Sequence, residues 1–157
     1  MRTLMGFCLV LIACGGSDDD TGDAMGAVTV GPDWVPVHAS CGYSFDAPPD
    51  ATEDPAQGID SCVNQWNVGT CVYWGDYGAF SSDLSEYEEL PDYRESQRSI
   101  AGRSAKLVTA RSESGFIAAA QLSEVGGGAR LTVWATCEDE SGQQEALAAW
   151  GSIRFDP

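Results

Sequence analysis

The 157-residue chain has few basic side chains. It carries 8 Lys and Arg against 24 Asp and Glu, so its formal net charge is −16 at pH 7. Nucleic-acid binding needs clustered Lys and Arg, and attraction to an anionic lipid surface needs the same, so this balance excludes both modes of binding. A cationic partner or Ca²⁺ is permitted by the charge, although solubility alone also accounts for it.

Residues that mark a catalytic centre are equally scarce. His38 is the only imidazole, and it precedes the first clear strand. No G-x-S-x-G nucleophile elbow occurs, because the nearest segment, GYSFD at 42–46, ends in Asp. The glycines at 126–128 lack the lysine and the helix start of a phosphate-binding loop. We therefore expect a non-enzymatic protein without a cofactor.

The one long hydrophobic run lies at the start of the chain. Arg2 precedes an apolar stretch at 4–13 that is too short to span a bilayer as a stable helix. Ala13 comes directly before Cys14, and GGSDDD at 15–20 then ends the hydrophobicity. This segment resembles the signal peptide and lipobox of a bacterial lipoprotein. There are two alternatives to this interpretation: an ordinary secretory signal in which Cys14 is incidental, and a helix that is retained in the mature protein.

The lipoprotein resemblance implies a location. Residues 1–13 would be removed as the signal peptide, and Cys14 would become the lipidated first residue. Two or more acyl chains anchor a protein stably, so the membrane becomes a partner through the lipid. Gly15 rather than Asp follows the cysteine, which implies the outer membrane if the organism has one.

The remaining chain divides into a tether and one domain. Residues 14–33 are rich in Gly, Asp and other small residues, which predicts a flexible acidic tether. The aspartates at 18–20 lack the ligand spacing of a calcium-binding EF-hand loop. Residues 34–157 are long enough for a single domain with its own core.

Cysteine usage predicts two disulfides in that domain. The chain has 6 cysteines, of which Cys8 leaves with the signal and Cys14 takes the lipid. An even number then remains in an exported chain, which is typical of a disulfide framework. Zinc is the alternative, but no pair has C-x-x-C spacing. The predicted disulfide cysteines are Cys41, Cys62, Cys71 and Cys137.

Three connectivities are open, and side-chain alternation favours one of them. Cys41 and Cys137 each continue an apolar row on one face of a predicted strand. This favours a Cys41–Cys137 bond and leaves Cys62 and Cys71 to join a local hairpin.

Apolar alternation and turn residues predict an α+β fold. One helix is predicted at 143–150, with Ser141 and Gln144 as a capping box and Gly151 at its end. A second helix is predicted within 81–89, and Gly102 marks a bend. The result is an antiparallel meander covered by one or two helices. The predicted strands lie at 43–46, 59–66, 70–77, 105–111, 116–122 and 130–137, with an extended segment at 152–155.

Several short segments resemble known domains. YSFDAP at 43–48, IAGRSA at 100–105, the strand meander and a closing helix before SIRF at 152–155 are together similar to the PsbP-like fold. GIDSC at 58–62 and DYG at 76–78 also resemble small exported bacterial proteins without an assigned activity. The PsbP-like resemblance implies a non-enzymatic role in assembly or ion retention within larger complexes, and no site residue is carried over from it.

Residues 73–93 combine aromatic rings with carboxylates and form the candidate ligand patch. Such a pattern suits sugar stacking, cation binding or a protein interface. Paired carboxylates could also act as the acid and base of glycoside hydrolysis. The favoured interpretation is structural: the aromatic rings pack in the core, and the acidic side chains lie in a solvated loop. The candidate site residues are Trp74, Asp76, Tyr77, Asp83 and Glu86.

The hypothesis that follows is a lipid-anchored cell-envelope domain that acts through contacts with another envelope protein. The alternative is a Ca²⁺- or carbohydrate-binding domain that uses residues 73–93.

Overall fold

The protein consists of two antiparallel sheets and one α-helix, in a computed structural model that describes residues 29–156. The predicted signal peptide, Cys14 and the tether as far as residue 28 lie outside the described residues. Within the described part, no helix is long and apolar enough to cross a membrane. The elements are β1 Val35–Ala39, β2 Tyr43–Ala47, β3 Thr52–Asp54, β4 Cys62–Val68, β5 Cys71–Gly78, a 3₁₀ turn Ser85–Tyr87, β6 Arg94–Ile100, β7 Arg103–Ser112, β8 Gly115–Gly126, β9 Ala129–Cys137, α1 Glu140–Gly151 and β10 Arg154–Phe155.

The larger sheet has seven strands in the order β3-β4-β5-β9-β8-β7-β6. Its strands β7 to β9 form the three-stranded meander that the sequence predicts, the unpredicted β6 pairs with β7, and β9 pairs with β5. Gly102, at φ +73°, lies in the turn between β6 and β7, which confirms the predicted bend. The predicted antiparallel α+β fold is therefore confirmed at this level.

The smaller sheet, β1-β2-β10, packs with α1 on one face of the larger sheet. We call this the inner face and the opposite one the outer face. Phe45 of β2 lies 5.0 Å from Trp66 of β4 and 5.5 Å from Trp150 of α1, measured between ring centroids. Edge-to-face pairs of this kind contribute about 0.5–1.5 kcal/mol beyond the area they bury. One aromatic ring thus connects the small sheet to the large sheet and to the helix.

The helix begins earlier than the sequence predicts, and its cap is a different residue. Asp139 is the N-cap, and its side chain accepts a hydrogen bond of 2.8 Å from the backbone N–H of Gly142. The predicted capping box of Ser141 and Gln144 is wrong, because these residues already lie inside the helix. Helical burial follows the prediction: Ala146, Leu147 and Trp150 are buried, and Gly151 is the last helical residue. The second predicted helix is reduced to the 3₁₀ turn.

Both disulfides form, but with a connectivity that differs from the favoured one. The bonds are Cys41–Cys62 and Cys71–Cys137. Cys71 and Cys137 lie directly opposite each other on β5 and β9, which the sequence does not reveal as neighbours. A Cys62–Cys71 bond is impossible because these residues lie at opposite ends of the β4–β5 hairpin, where Cys62 faces Tyr77. The prediction of Cys41–Cys137 and Cys62–Cys71 is therefore wrong.

Candidate functional site

The outer face of the large sheet is covered on one half and open on the other. On β7 and β8, the outward-facing Val108 and Ala119 are completely buried. On β4 and β5, the outward-facing Gln65 and Trp74 remain partly exposed, and Asn67 is exposed. The difference arises because residues 79–93 cross β7, β8 and part of β9.

Hydrophobic contact and hydrogen bonds hold this covering segment in place. Leu84 is completely buried and packs with Val108 and Ala119. The carbonyl of Ser82 accepts hydrogen bonds from Gln121 Nε2 at 2.6 Å and from Thr132 Oγ1 at 2.7 Å. Arg130 Nη2 donates to the carbonyl of Ser81 at 2.7 Å. Side chains of β8 and β9 thus satisfy backbone groups of the segment, as buried polar groups require.

Electrostatic contacts hold the far end of the segment. Lys106 Nζ lies 3.2 Å from a carboxylate oxygen of Glu95 and 3.8 Å from one of Glu88. The hydroxyl of Tyr93 donates to Glu95 Oε2 at 2.8 Å. This hydrogen bond, together with Lys106, lowers the pKa of Glu95. Burial, followed by the hydrogen bond to Glu95, raises the pKa of Tyr93 to about 12.

The structure separates the five residues of the candidate ligand patch. Successive side chains of a strand point to opposite faces of the sheet. On β5, Trp74 and Asp76 therefore point to the outer face, and Tyr77 points to the inner face. Asp83 and Glu86 are exposed in the covering segment. The patch stays a prediction, and of its members only Trp74 and Asp76 lie on the outer face of β5.

Asp83 has a local structural role. One of its carboxylate oxygens accepts from the Ser85 hydroxyl at 2.7 Å and from the Ser85 backbone N–H at 3.0 Å. These hydrogen bonds lower the pKa of Asp83. An aspartate that bonds to the backbone two residues ahead forms an Asx turn, and here it precedes the 3₁₀ turn.

A second tryptophan, which the sequence analysis missed, lies beside Trp74. Trp134 of β9 is directly opposite Trp74, with ring centroids 5.9 Å apart and planes only 4° from parallel. Trp134 packs against the buried cluster around Leu84, and both indoles remain partly exposed. Alternation along β9 already indicates that Trp134 points away from the predicted inward row, but the pairing of β5 with β9 cannot be read from the sequence.

The open half of the outer face, which we call the open face, combines stacked indoles with polar neighbours. Gln65 of β4 is the cross-strand neighbour of Trp74 on the side away from Trp134. Asn67 Nδ2 donates to Asp54 Oδ2 at 2.5 Å, which fixes an amide beside a carboxylate. The open face can therefore offer both apolar contact area and hydrogen-bonding groups. Its members are Asp54, Gln65, Asn67, Val72, Trp74, Trp134 and Thr136.

Metal-ligating groups do not converge in the part of the chain that the structure describes. Among residues 29–156 there is no cluster of three or more His, Cys, Asp or Glu side chains that could hold an ion. His38 is exposed on β1, an edge strand of the small sheet. The open face is thus the main candidate for function.

No known protein family matches the sequence, and no curated protein is significantly similar to it.

Proposed function

We propose that this protein is an exported, lipid-anchored domain of the cell envelope that binds another envelope protein through its open face. The observation that carries the proposal is the Trp74–Trp134 pair, which stays partly exposed on an uncovered half-sheet. The two disulfides support an oxidising compartment outside the cytoplasm. The signal-peptide and lipobox pattern at residues 1–14 supports the anchor.

The chemistry of the open face favours a protein partner. Tryptophan is enriched at the energetic centres of protein interfaces, where it contributes a large rigid surface. Trp74 is held by its stacking on Trp134, and Trp134 is in turn held by the covering segment. A preordered anchor residue loses little entropy on binding, which raises affinity for a given contact area.

Site-specific photocrosslinking in intact cells tests the proposal. A photoreactive amino acid at Asn67 on the open face should capture one reproducible envelope protein. The same amino acid at Glu113, exposed in the β7–β8 turn, is the matched control and should not capture it. Trp74→Ala should reduce capture from position 67 by about tenfold or more, the loss typical of an interface anchor. Equal capture from both positions, or capture that survives Trp74→Ala unchanged, would contradict the proposal.

A glycan ligand is the second candidate function. The specific observation in its favour is an indole flanked by the amides of Gln65 and Asn67, because sugar rings stack on aromatic faces and hydrogen-bond to amides. Thermal melts with a panel of envelope polysaccharides should then raise the midpoint of the wild type and not of Trp74→Ala. Melts with Ca²⁺ and with a chelator examine the calcium hypothesis for residues 73–93, and an unchanged midpoint would remove it.

We also propose that the domain is PsbP-like. An antiparallel sheet covered by a C-terminal helix supports this comparison at the level of fold class. A PsbP-like domain would act in assembly or retention within a larger complex, which agrees with a function based on contacts.

A further inference from the structure

A cleft lies beside the β4–β5 turn, outside the set of residues that form the open face. Four separate segments meet there: the chain before β1, the β2–β3 connection, the β4–β5 turn and the exposed side of α1. They line an open cleft of about 400 Å³. Clefts that hold small ligands are typically about 300–1,000 Å³, so the volume suits a small molecule.

The walls of the cleft are aromatic and apolar. Trp34 forms one wall, and Pro48 and Pro49 form another. The indole of Trp34 lies directly on Gly31, where an added Cβ would come within 2.5 Å of its Nε1. Trp34 also packs against the hydrophobic core, and this contact holds its side chain in position.

The charged groups of the cleft are all acidic. Asp33, Asp50 and Glu145 line it, and no lysine, arginine or histidine does. Asp33, Asp50 and Glu145 are exposed, as is Pro49, whereas Trp34 and Pro48 are half-buried. The combination of a tryptophan face with several carboxylates is the arrangement that proteins use for alkylated ammonium groups.

A buried tyrosine that interacts electrostatically with two of the cleft carboxylates is also left unpaired. Tyr73 is completely buried, and its hydroxyl has no hydrogen-bond partner among the described residues. Burial, followed by the charges of Glu145 and Asp50, raises the pKa of this hydroxyl. Two of the carboxylates that line the cleft therefore act on the Tyr73 hydroxyl. A buried donor without a partner is unusual and costs stability unless a ligand or water reaches it.

We propose that this cleft binds a small organic ammonium ion, with the Trp34 ring against its alkyl groups and the carboxylates of Asp50 and Glu145 facing its charge. The site is independent of the open face, so each can exist without the other. The strongly acidic composition of the chain supports such a site, because the surrounding negative potential favours the approach of a cation.

NMR titration of the folded, disulfide-bonded domain with choline as the probe tests this inference. Choline should shift the indole N–H signal of Trp34 and the backbone signal of Gly69 in a saturable manner. Its uncharged carbon isostere, dimethylbutanol, has the same shape and should cause no saturable shift. Equal shifts from both compounds would overturn the proposal, because the recognition would then depend on hydrophobicity rather than charge.

Two charge-matched variants separate the site from the overall acidity of the protein. Glu145→Gln should weaken choline binding by about three- to tenfold, since one of the facing charges is lost. Glu113→Gln removes the same charge from a distant turn and should leave the affinity unchanged. Both positions are exposed, so neither variant should disturb folding. An equal loss in both variants would show that only the net charge of the protein attracts the cation, and would contradict the cleft.

Discussion

Gly75 leaves room for the Tyr43 hydroxyl in the core. Both residues face the interior between the two sheets, and an added Cβ on Gly75 would collide with the Tyr43 hydroxyl oxygen and lie 3.1 Å from its Cζ. Tyr43 is completely buried, and its hydroxyl has no hydrogen-bond partner in the described part of the chain. Glycine is therefore required at position 75 by the space that the tyrosine occupies.

We expect Gly75→Ala to lower the free energy of unfolding by about 1–3 kcal/mol, because the added methyl group overpacks the core. Adding Tyr43→Phe removes the obstructing oxygen and should restore part of this loss, while Tyr43→Phe alone should be close to neutral because it deletes an unpaired hydroxyl. Urea unfolding of the single and double variants measures the coupling. Gly151→Ala is the control, since an added Cβ there meets nothing within 4 Å. Strictly additive losses at positions 43 and 75 would contradict the proposed contact.

Asp46 and Arg154 connect the second strand to the last one. Arg154 donates from Nη1 and Nη2 to the two carboxylate oxygens of Asp46, at 3.0 and 2.6 Å. These hydrogen bonds hold the pKa of Asp46 below its usual value. A carboxyl group whose pKa is lower in the folded state stabilises the protein above its unfolded pKa, and this contribution disappears as the pH falls through the folded pKa.

Arg154→Gln should therefore reduce stability at pH 7 and have little effect near pH 2. The expected loss at pH 7 is below about 1 kcal/mol, because the side chain of Arg154 is half exposed and solvent screens the pair. Denaturant unfolding of both proteins at several pH values gives the difference. If the unfolding free energies of the two proteins differ by the same amount at pH 7 and at pH 2, the arginine acts through packing rather than through the ion pair.

At the scale of the element, the start of α1 offers a direct test of where the helix begins. The N–H groups of the first helical turn have no partner within the helix, and the Asp139 side chain satisfies one of them. Asp139→Ala should cost about 1 kcal/mol of stability, within a usual range of about 0.5–2 kcal/mol. Ser141→Ala changes an exposed residue inside the first turn and should cost much less. Thermal or urea unfolding distinguishes the two, and a larger loss at Ser141 would reinstate the capping box predicted from the sequence.

The strands that can be predicted from the sequence are those that carry an apolar row on at least one face. β2, β4, β5, β7, β8 and β9 carry such a row, and the structure contains all of them, with β4 starting three residues later than predicted. The strands missed are β1, β3 and β6, each at an edge of its sheet. Their buried residues are few, and the sequence of β6, RESQRSI, is almost entirely polar. Polar side chains on edge strands discourage pairing with other molecules, and the same polarity removes the hydrophobic pattern used for prediction.

The site could be predicted only in part for a related reason. Trp74 could be selected because it lies in an aromatic and acidic segment, but its partner Trp134 is 60 residues away in a different strand. The Cys71–Cys137 bond depends on the same pairing of β5 with β9. Both features are consequences of strand order, which alternation within a single strand does not determine.

At the scale of the whole molecule, the proposed anchor decides where the domain is found. Cys14→Ala should prevent lipidation and move the protein from the membrane fraction to the soluble or secreted fraction, because the domain has too little positive charge to adhere to anionic lipids. Cell fractionation followed by immunoblotting measures this. Cys8→Ala changes a cysteine inside the predicted signal peptide and should leave the distribution unchanged. A Cys14→Ala protein that stays in the membrane fraction would refute the lipoprotein hypothesis.

The Cys41–Cys62 bond has a mechanical consequence for a domain held at both ends. If the chain is attached to a membrane before β1 and to a partner at the open face, any tension enters the fold through β1. That strand can be peeled from β2 only as far as Cys41, where the covalent bond passes the load to β4 in the large sheet. The strand next to β4 is β5, which carries Trp74. The pulling force is thus carried from the tether to the strands of the open face without unravelling β2 or the core behind it.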